Sequence, residues 1–229
     1  MRVGILGTGV VGRSIGGKLA ALGHEVTIGT RDVDALMART ETDARGNESF
    51  AEWKGKNPEV KLGTFADAAD QGELVVNATD GAGSLEALHS AGEENLDGKV
   101  LIDISNPLDY SRGMPPSLIV SNTDSLGEQI QRTFPGAKVV KALNTVTAFV
   151  MVDPSLVAGS DHTIFMSGND SQAKAQVGEV LRSFGWQHIV DLGDITTARG
   201  VEMYLPLWIR LWRTFGTPMF NIKVVQAQD

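Results

Sequence analysis

The chain has no cysteine, which excludes disulfides, thiolate nucleophiles, cysteine-ligated zinc and iron–sulfur clusters together. It is also poor in positive charge: 20 Lys and Arg stand against 28 Asp and Glu, for a formal net charge of -8. A field of that sign cannot gather a phosphate backbone by counterion release, so no nucleic-acid partner is expected. Nowhere do 18 apolar residues run unbroken, and the first apolar run is too short for a signal peptide, so no membrane partner is expected either. Histidine is scarce, with His24, His89, His162 and His188 lacking metal-ligand spacing, and no metal site is anticipated. All four read more easily as surface or structural residues than as catalytic ones. These absences describe a cytoplasmic protein, and 229 residues at 42% apolar content suffice for a substantial core.

What is present is an alternation of apolar runs with helix-period segments. Residues 2–6 read as a strand, 12–22 as a helix and 25–29 as a strand, forming a βαβ unit. Further strands are predicted at 61–63, 73–78, 99–104 and 138–143, with helices at 67–71, 84–91 and 125–134. Runs such as Leu74-Val75-Val76 and Val100-Leu101-Ile102 are apolar on successive residues, as strands covered on both faces require. The expected class is α/β, with a doubly wound parallel Rossmann sheet. Residues 40–58 are polar, with Phe50 and Trp53 as the only large anchors, and read as a surface excursion. After Asn144 the pattern changes to a strand at 162–168, a helix at 172–184 and a strand at 188–192. This predicts a Rossmann domain over 1–148 and a smaller C-terminal α/β domain over 149–229. A final helix over 196–215 aligns Tyr204, Trp208, Trp212 and Phe215 on one face, spaced four, four and three apart. That stripe is either core or a homodimer interface, or a wall of a second substrate's site.

The loop Gly7-Thr8-Gly9-Val10-Val11-Gly12 follows the first strand directly and opens a helix. In that context Gly7 permits a tight turn, Gly9 lets the backbone approach a pyrophosphate, and Gly12 lets helix and strand pack closely. At the end of the second strand, where an NAD-binding domain carries an acid, stand Gly29-Thr30-Arg31. A carboxylate would repel a 2'-phosphate, whereas Thr30 can donate to it and Arg31 can pair with it, so the cofactor is expected to be NADP(H). Alternatively, Arg31 merely pairs with the adjacent Asp32. Three further strand ends, Asn77-Ala78-Thr79, Ser105-Asn106-Pro107 and Leu143-Asn144-Thr145, are small and polar; they suit walls around ribose and carboxamide but equally suit ordinary turns.

No positioned proton donor for an alcohol or ketone is evident, and Lys141 could face the crevice or point away from it. Missing acid–base machinery points to hydride transfer between two cofactors, where positioning and the cofactors' own chemistry suffice.

The opening Met1-Arg2-Val3-Gly4-Ile5-Leu6-Gly7-Thr8-Gly9, the run Leu22-Gly23-His24-Glu25 leading to Gly29-Thr30-Arg31, Val139-Val140-Lys141-Ala142-Leu143-Asn144-Thr145, and Asp191-Leu192-Gly193 with Ala198-Arg199 and Glu202 resemble the NADPH-dependent coenzyme F420 reductases, or F420:NADP oxidoreductases. That resemblance spans nearly the whole chain. It implies hydride transfer between NADP(H) and the deazaflavin F420, with Thr8 to Val11, Thr30 and Arg31 holding NADP. It places Ala78, Thr79 and Ala148 beside the nicotinamide, and residues 144–147 against the deazaflavin. Asn106 is counted among the cofactor-binding residues, and Asn144 and Val146 are expected to position the two rings, with no residue assigned as acid or base. The archaeal members differ in carrying His where Asn144 stands and Pro where Thr147 stands. The second half is also similar to the cytosolic domain of the STEAP metalloreductases, whose use of FAD makes an FMN or FAD reductase the alternative. A non-catalytic NADP(H) sensor is the reading from another class. Because F420 has an anionic tail, a basic rim is expected, with Arg112, Lys141, Arg199 and Arg210 as candidates.

Overall fold

A computed structural model describes residues 1–42 and 46–227. In chain order it runs through β1 (Arg2–Leu6), α1 (Val10–Ala21), β2 (Glu25–Thr30), α2 (Val33–Met37), α3 (Phe50–Lys56), β3 (Lys61–Thr64), α4 (Phe65–Gln71), β4 (Leu74–Asn77), α5 (Ser84–Ala91), α6 (Glu93–Leu96) and β5 (Val100–Asp103). A small hairpin of β6 (Leu108–Asp109) and β7 (Ser117–Leu118) precedes α7 (Leu126–Thr133), β8 (Lys138–Ala142) and α8 (Ala148–Val152). The chain continues through β9 (Thr163–Gly168), α9 (Ser171–Phe184), β10 (His188–Asp191), α10 (Ala198–Met203) and α11 (Leu205–Phe215).

Eight strands of the described residues form one sheet in the order β10-β9-β8-β5-β4-β1-β2-β3. The six from β8 to β3 are mutually parallel, as the apolar runs required. The turn to antiparallel pairing comes at β9, which aligns Ala142 with Met166 and Lys141 with Ser167. The smaller C-terminal part therefore contributes β9 and β10 to the edge of the same sheet.

Strand alternation divides the core between the two faces. Ile5, Val76, Ile102 and Val140 lie in register and share one cluster with Ile15 and Leu19 of α1 and with Trp186. Val75, Leu101 and Val139 share the other with Leu88 of α5 and Ile130 of α7. Local signals place the helices between them. Thr64 and Asp67 form a capping box at α4, and Asp170 caps α9, which ends on Gly185 at φ 106°.

Two expectations are corrected. The excursion at 40–58 contains α3, capped by Ser49 accepting from the Glu52 N–H at 3.1 Å; residues 43–45 of it lie outside the described residues. Phe50 is buried there and Trp53 packs against the core. Ser49 with Glu52 three residues on is the N-terminal signature that polarity concealed. The expected single helix over 196–215 is broken at Tyr204 into α10 and α11, because Pro206 lacks an N–H and takes the first turn of a new helix. Its aromatic stripe is partly covered by the chain's own end: Trp208 stacks on Phe220 at 5.5 Å and Phe215 meets Phe220 edge-on at 5.5 Å.

Candidate active site: a crevice at the carboxyl ends of the strands

The glycine loop connects β1 to α1. Gly7 adopts φ 118°, in the left-handed half of backbone space, and a Cβ there would lie 2.5 Å from the Ala78 carbonyl oxygen. At Gly12 a Cβ would lie 2.0 Å from the Gly7 carbonyl oxygen, so the helix can approach the loop only without a side chain. Gly9 is different: a Cβ there meets no protein atom within 4 Å. The space above it is open to a ligand, and α1 begins there with no side-chain cap and no acidic residue in its first turn. Free amides at an uncapped, acid-free helix start fit a pyrophosphate.

A cavity of about 570 Å³ extends from this loop and is lined by Gly7, Thr8, Gly9, Thr30, Arg31, Ala78 and Thr79. The Asp32 carboxylate accepts the Ala35 N–H at 2.9 Å as the N-cap of α2, and Arg31 has no ion-pair partner among the described residues. Arg31 therefore projects unpaired into the cavity, together with Arg39, which sequence reasoning missed. Only the fold of α2 reveals Arg39, since it carries no motif. Thr79 donates its hydroxyl to Asn77 Oδ1 at 2.6 Å, so that hydroxyl proton is already engaged. Val10 and Val11 are not on this wall. Val11 packs into the core, and Val10 lines a second cavity of about 410 Å³, shared with Phe149.

Beneath the crevice a row of polar side chains crosses the sheet. Asn77, Asp103 and Lys141 occupy corresponding positions on β4, β5 and β8, all fully buried. Asn77 Nδ2 donates to Asp103 Oδ1 at 2.9 Å and to Ser84 Oγ at 2.6 Å. Lys141 Nζ donates to Asp103 Oδ2 at 2.8 Å and to the Ser105 carbonyl at 2.6 Å, and pairs with Glu202 Oε1 at 2.9 Å. Glu202 also accepts the Leu126 and Gly127 N–H groups at 2.8 and 3.0 Å, capping α7 from α10. Burial pushes the Lys141 ammonium toward the neutral form, but the charges of Asp103 and Glu202 outweigh it and hold its pKa above the ordinary lysine value. Lys141 is thus an internal tie, unavailable to a basic rim. Arg199 is likewise paired with Glu128 at 2.8 Å, and that guanidinium lowers the Glu128 pKa.

The loop after β8 is held by amides. Asn106 Nδ2 donates to the Asn144 carbonyl at 3.1 Å, and Asn144 Nδ2 donates to Asn106 Oδ1 at 3.1 Å and to the Val201 carbonyl at 3.2 Å. Leu143 before it adopts φ 63°, a strained conformation for a branched residue. Asn144, Val146 and Ala148 are buried, with Val146 inside the core cluster, and none of the three lines either cavity. None of the four histidines lines either cavity. His162, for instance, is buried edge-on against Trp186 and hydrogen-bonded through Nε2 to the Pro154 carbonyl oxygen at 2.9 Å.

With this geometry in hand, comparison with known proteins is informative. Residues 2–107 match the family described as "NADP oxidoreductase coenzyme F420-dependent". A crystal structure from Arthrobacter sp. FB24, provisionally described as an F420-dependent NADP reductase, superposes with a TM-score of 0.94 at 60% identity, covering 99% of this chain and 100% of that one. The F420-dependent NADP reductase of Methanocaldococcus jannaschii is 28% identical over 230 residues, the full length of both chains. Metalloreductase STEAP3 of Rattus norvegicus is 28% identical over 214 residues, 90% of this chain but only 38% of that protein.

Proposed function

The chain belongs to the coenzyme F420-dependent NADP oxidoreductase family, and from that premise we propose that it transfers hydride directly between NADP(H) and the deazaflavin F420. NADP-linked oxidoreduction is the activity class of that family. The observation that carries the finer reading is the first cavity, where an open glycine loop and the unpaired Arg31 and Arg39 meet a neutral wall of Ala78 and Thr79. The loop amides would hold the pyrophosphate, Arg31 and Arg39 the 2'-phosphate, and Ala78, Thr79 and Ala148 the nicotinamide end. Asn106 and Asn144 would fix the facing loop, with Val146 behind it, so that the second ring meets a rigid backbone surface. The bound cofactors supply the redox chemistry, and the protein supplies orientation and exclusion of water. The division into domains at 148 and 149 belongs to this proposal, with the C-terminal part closing the second-cofactor side.

Anaerobic NADPH oxidation with F420, FMN and FAD offered in parallel tests the reading. Fast turnover of F420 alone is expected; turnover of flavins with F420 inert would make the protein a flavin reductase, and binding of NADPH without any turnover would make it a sensor. A cysteine-free composition agrees with work in a reducing cytoplasm. Among the described residues no helix is long and apolar enough to cross a membrane. The exposed Leu207 and Phe215 on α11 are assigned to a homodimer contact, and sedimentation as a monomer at micromolar concentration would remove that assignment.

A further inference from the structure

Arg13 holds a charge where a cation needs an anion. It lies on α1, its N–H bonded to the Gly9 carbonyl at 3.0 Å, and the residue is only 9% exposed. Nη1 donates to the Glu48 carbonyl at 2.7 Å, but Nε is buried with no hydrogen-bond partner. No carboxylate pairs with this guanidinium among the described residues, and the Glu48 carboxylate is engaged by Lys56. Buried arginines are rare unless paired, because desolvation of the cation otherwise goes uncompensated.

Arg13 lines the 410 Å³ cavity, whose other walls are Val10, Ser14, Asn47, Trp53, Phe149 and Glu48, the last with its carboxylate paired to Lys56. Two aromatic rings and an aliphatic side chain share this lining with an unsatisfied guanidinium edge. Phe149 is 53% exposed although α8 packs closely on α1. Position gives the cavity its meaning: Val10 belongs to the glycine loop and Phe149 adjoins Ala148, so the cavity adjoins the loop without sharing a wall residue with the nucleotide cavity. On a chain of net charge -8, an anionic ligand is repelled in general and needs a local cation to settle.

We propose that this cavity is a subsite for the anionic side chain of the second cofactor, with Arg13 pairing its phosphate or carboxylate and Trp53 and Phe149 covering the apolar stem beside it. The proposal rests on the two-cofactor reading above and adds to it the group that distinguishes a tailed acceptor from a bare ring system. Phosphate and carboxylate both suit a guanidinium, so FMN and F420 serve as the two sources of tail charge, with riboflavin and the deazaflavin chromophore as their tail-free counterparts.

The test is direct titration of the NADP-saturated protein with each of the four, followed by calorimetry, in wild type, Arg13→Gln and Ser14→Asp. We expect wild type to bind a tailed acceptor at least about tenfold more tightly than its tail-free counterpart, the scale of a hydrogen bond to a charged group. Arg13→Gln should collapse that preference, and Ser14→Asp, which leaves Arg13 in place but adds a negative charge to the wall, should reduce it; NADPH titration reports whether each variant is folded. Equal affinity for tailed and tail-free acceptors in wild type overturns the subsite while leaving the two-cofactor reading intact. A preference that survives both substitutions also overturns it, since the anion is then held elsewhere. Failure of all four to bind, with NADPH still bound, overturns the reading and the subsite together.

Discussion

Two structures share the carboxyl edge of the sheet and are built on opposite principles. The glycine loop works by lacking side chains: Gly7 turns, Gly12 admits the helix, and Gly9 leaves room above the helix start. The row beneath the next three strands works through its side chains, with Lys141 held between Asp103 and Glu202 in full burial. The first is open and waits for an anion, while the second sets one ammonium between two carboxylates and ties β4, β5, β8 and α10 into one floor. A crevice that receives a dinucleotide gains from both, a surface of open backbone amides and a foundation that does not shift when it is filled.

The contrast can be broken most severely at Lys141. Lys141→Met leaves two buried carboxylates without their cation and should cost about 3 to 5 kcal/mol of stability, read by urea denaturation. Adding Asp103→Asn and Glu202→Gln should recover part of that loss, and a single-mutant cost under about 1 kcal/mol would show the row to be dispensable. Because the folded pKa of Lys141 is raised, its contribution is complete below the unfolded lysine value and disappears as pH rises through the folded one, so wild type should lose its advantage over Lys141→Met only under alkaline conditions.

On the open side, Arg31→Ala should weaken NADPH binding by roughly 1.5 to 3 kcal/mol while leaving NADH almost untouched; equal losses would remove Arg31 from the 2'-phosphate. The loop itself separates fold from binding. Gly12→Ala forces a Cβ against the Gly7 carbonyl and should lose about 1 to 3 kcal/mol of stability along with cofactor affinity. Gly9→Ala meets no protein atom, so melting should be unchanged while NADPH affinity falls. The smallest effect is expected at Asp124, which belongs to neither structure. Its hydrogen bonds with Arg132 lower its pKa to about 2, so its stabilisation is present above the unfolded value and is lost as pH falls from about 4 to about 2. The pair is largely exposed, and Asp124→Asn should flatten that acid dependence by less than about 1 kcal/mol.

How much of this was legible in the chain follows the same division. The loop was readable because its function depends on residue type at fixed short spacing, directly after an apolar run. Thr30 and Arg31 were readable because the second strand must end there, yet whether Arg31 was free depended on Asp32 turning to cap α2. Lys141 could not be placed, because its partners lie 38 and 61 residues away and meet it only through strand register and the packing of α10. Asn144 looked like a residue facing a ligand, but its amide is engaged by Asn106 and Val201. Pro206 and the pair Ser49 and Glu52 were visible signals overshadowed by a strong aromatic period in one case and by surrounding polarity in the other.

The sequence by itself determined the parallel βαβ core, the glycine loop and the preference for a phosphorylated dinucleotide, because periodicity, glycine stereochemistry and the Gly29-Thr30-Arg31 run in place of an acid at the end of β2 act over a few residues. Only the tertiary structure decided that the C-terminal strands join the same sheet, that Lys141 is a buried tie, and that Arg13 stands unpaired beside a second cavity. Each of these depends on which distant groups are brought together and which charges are left unmatched, and desolvation is settled by the assembled fold.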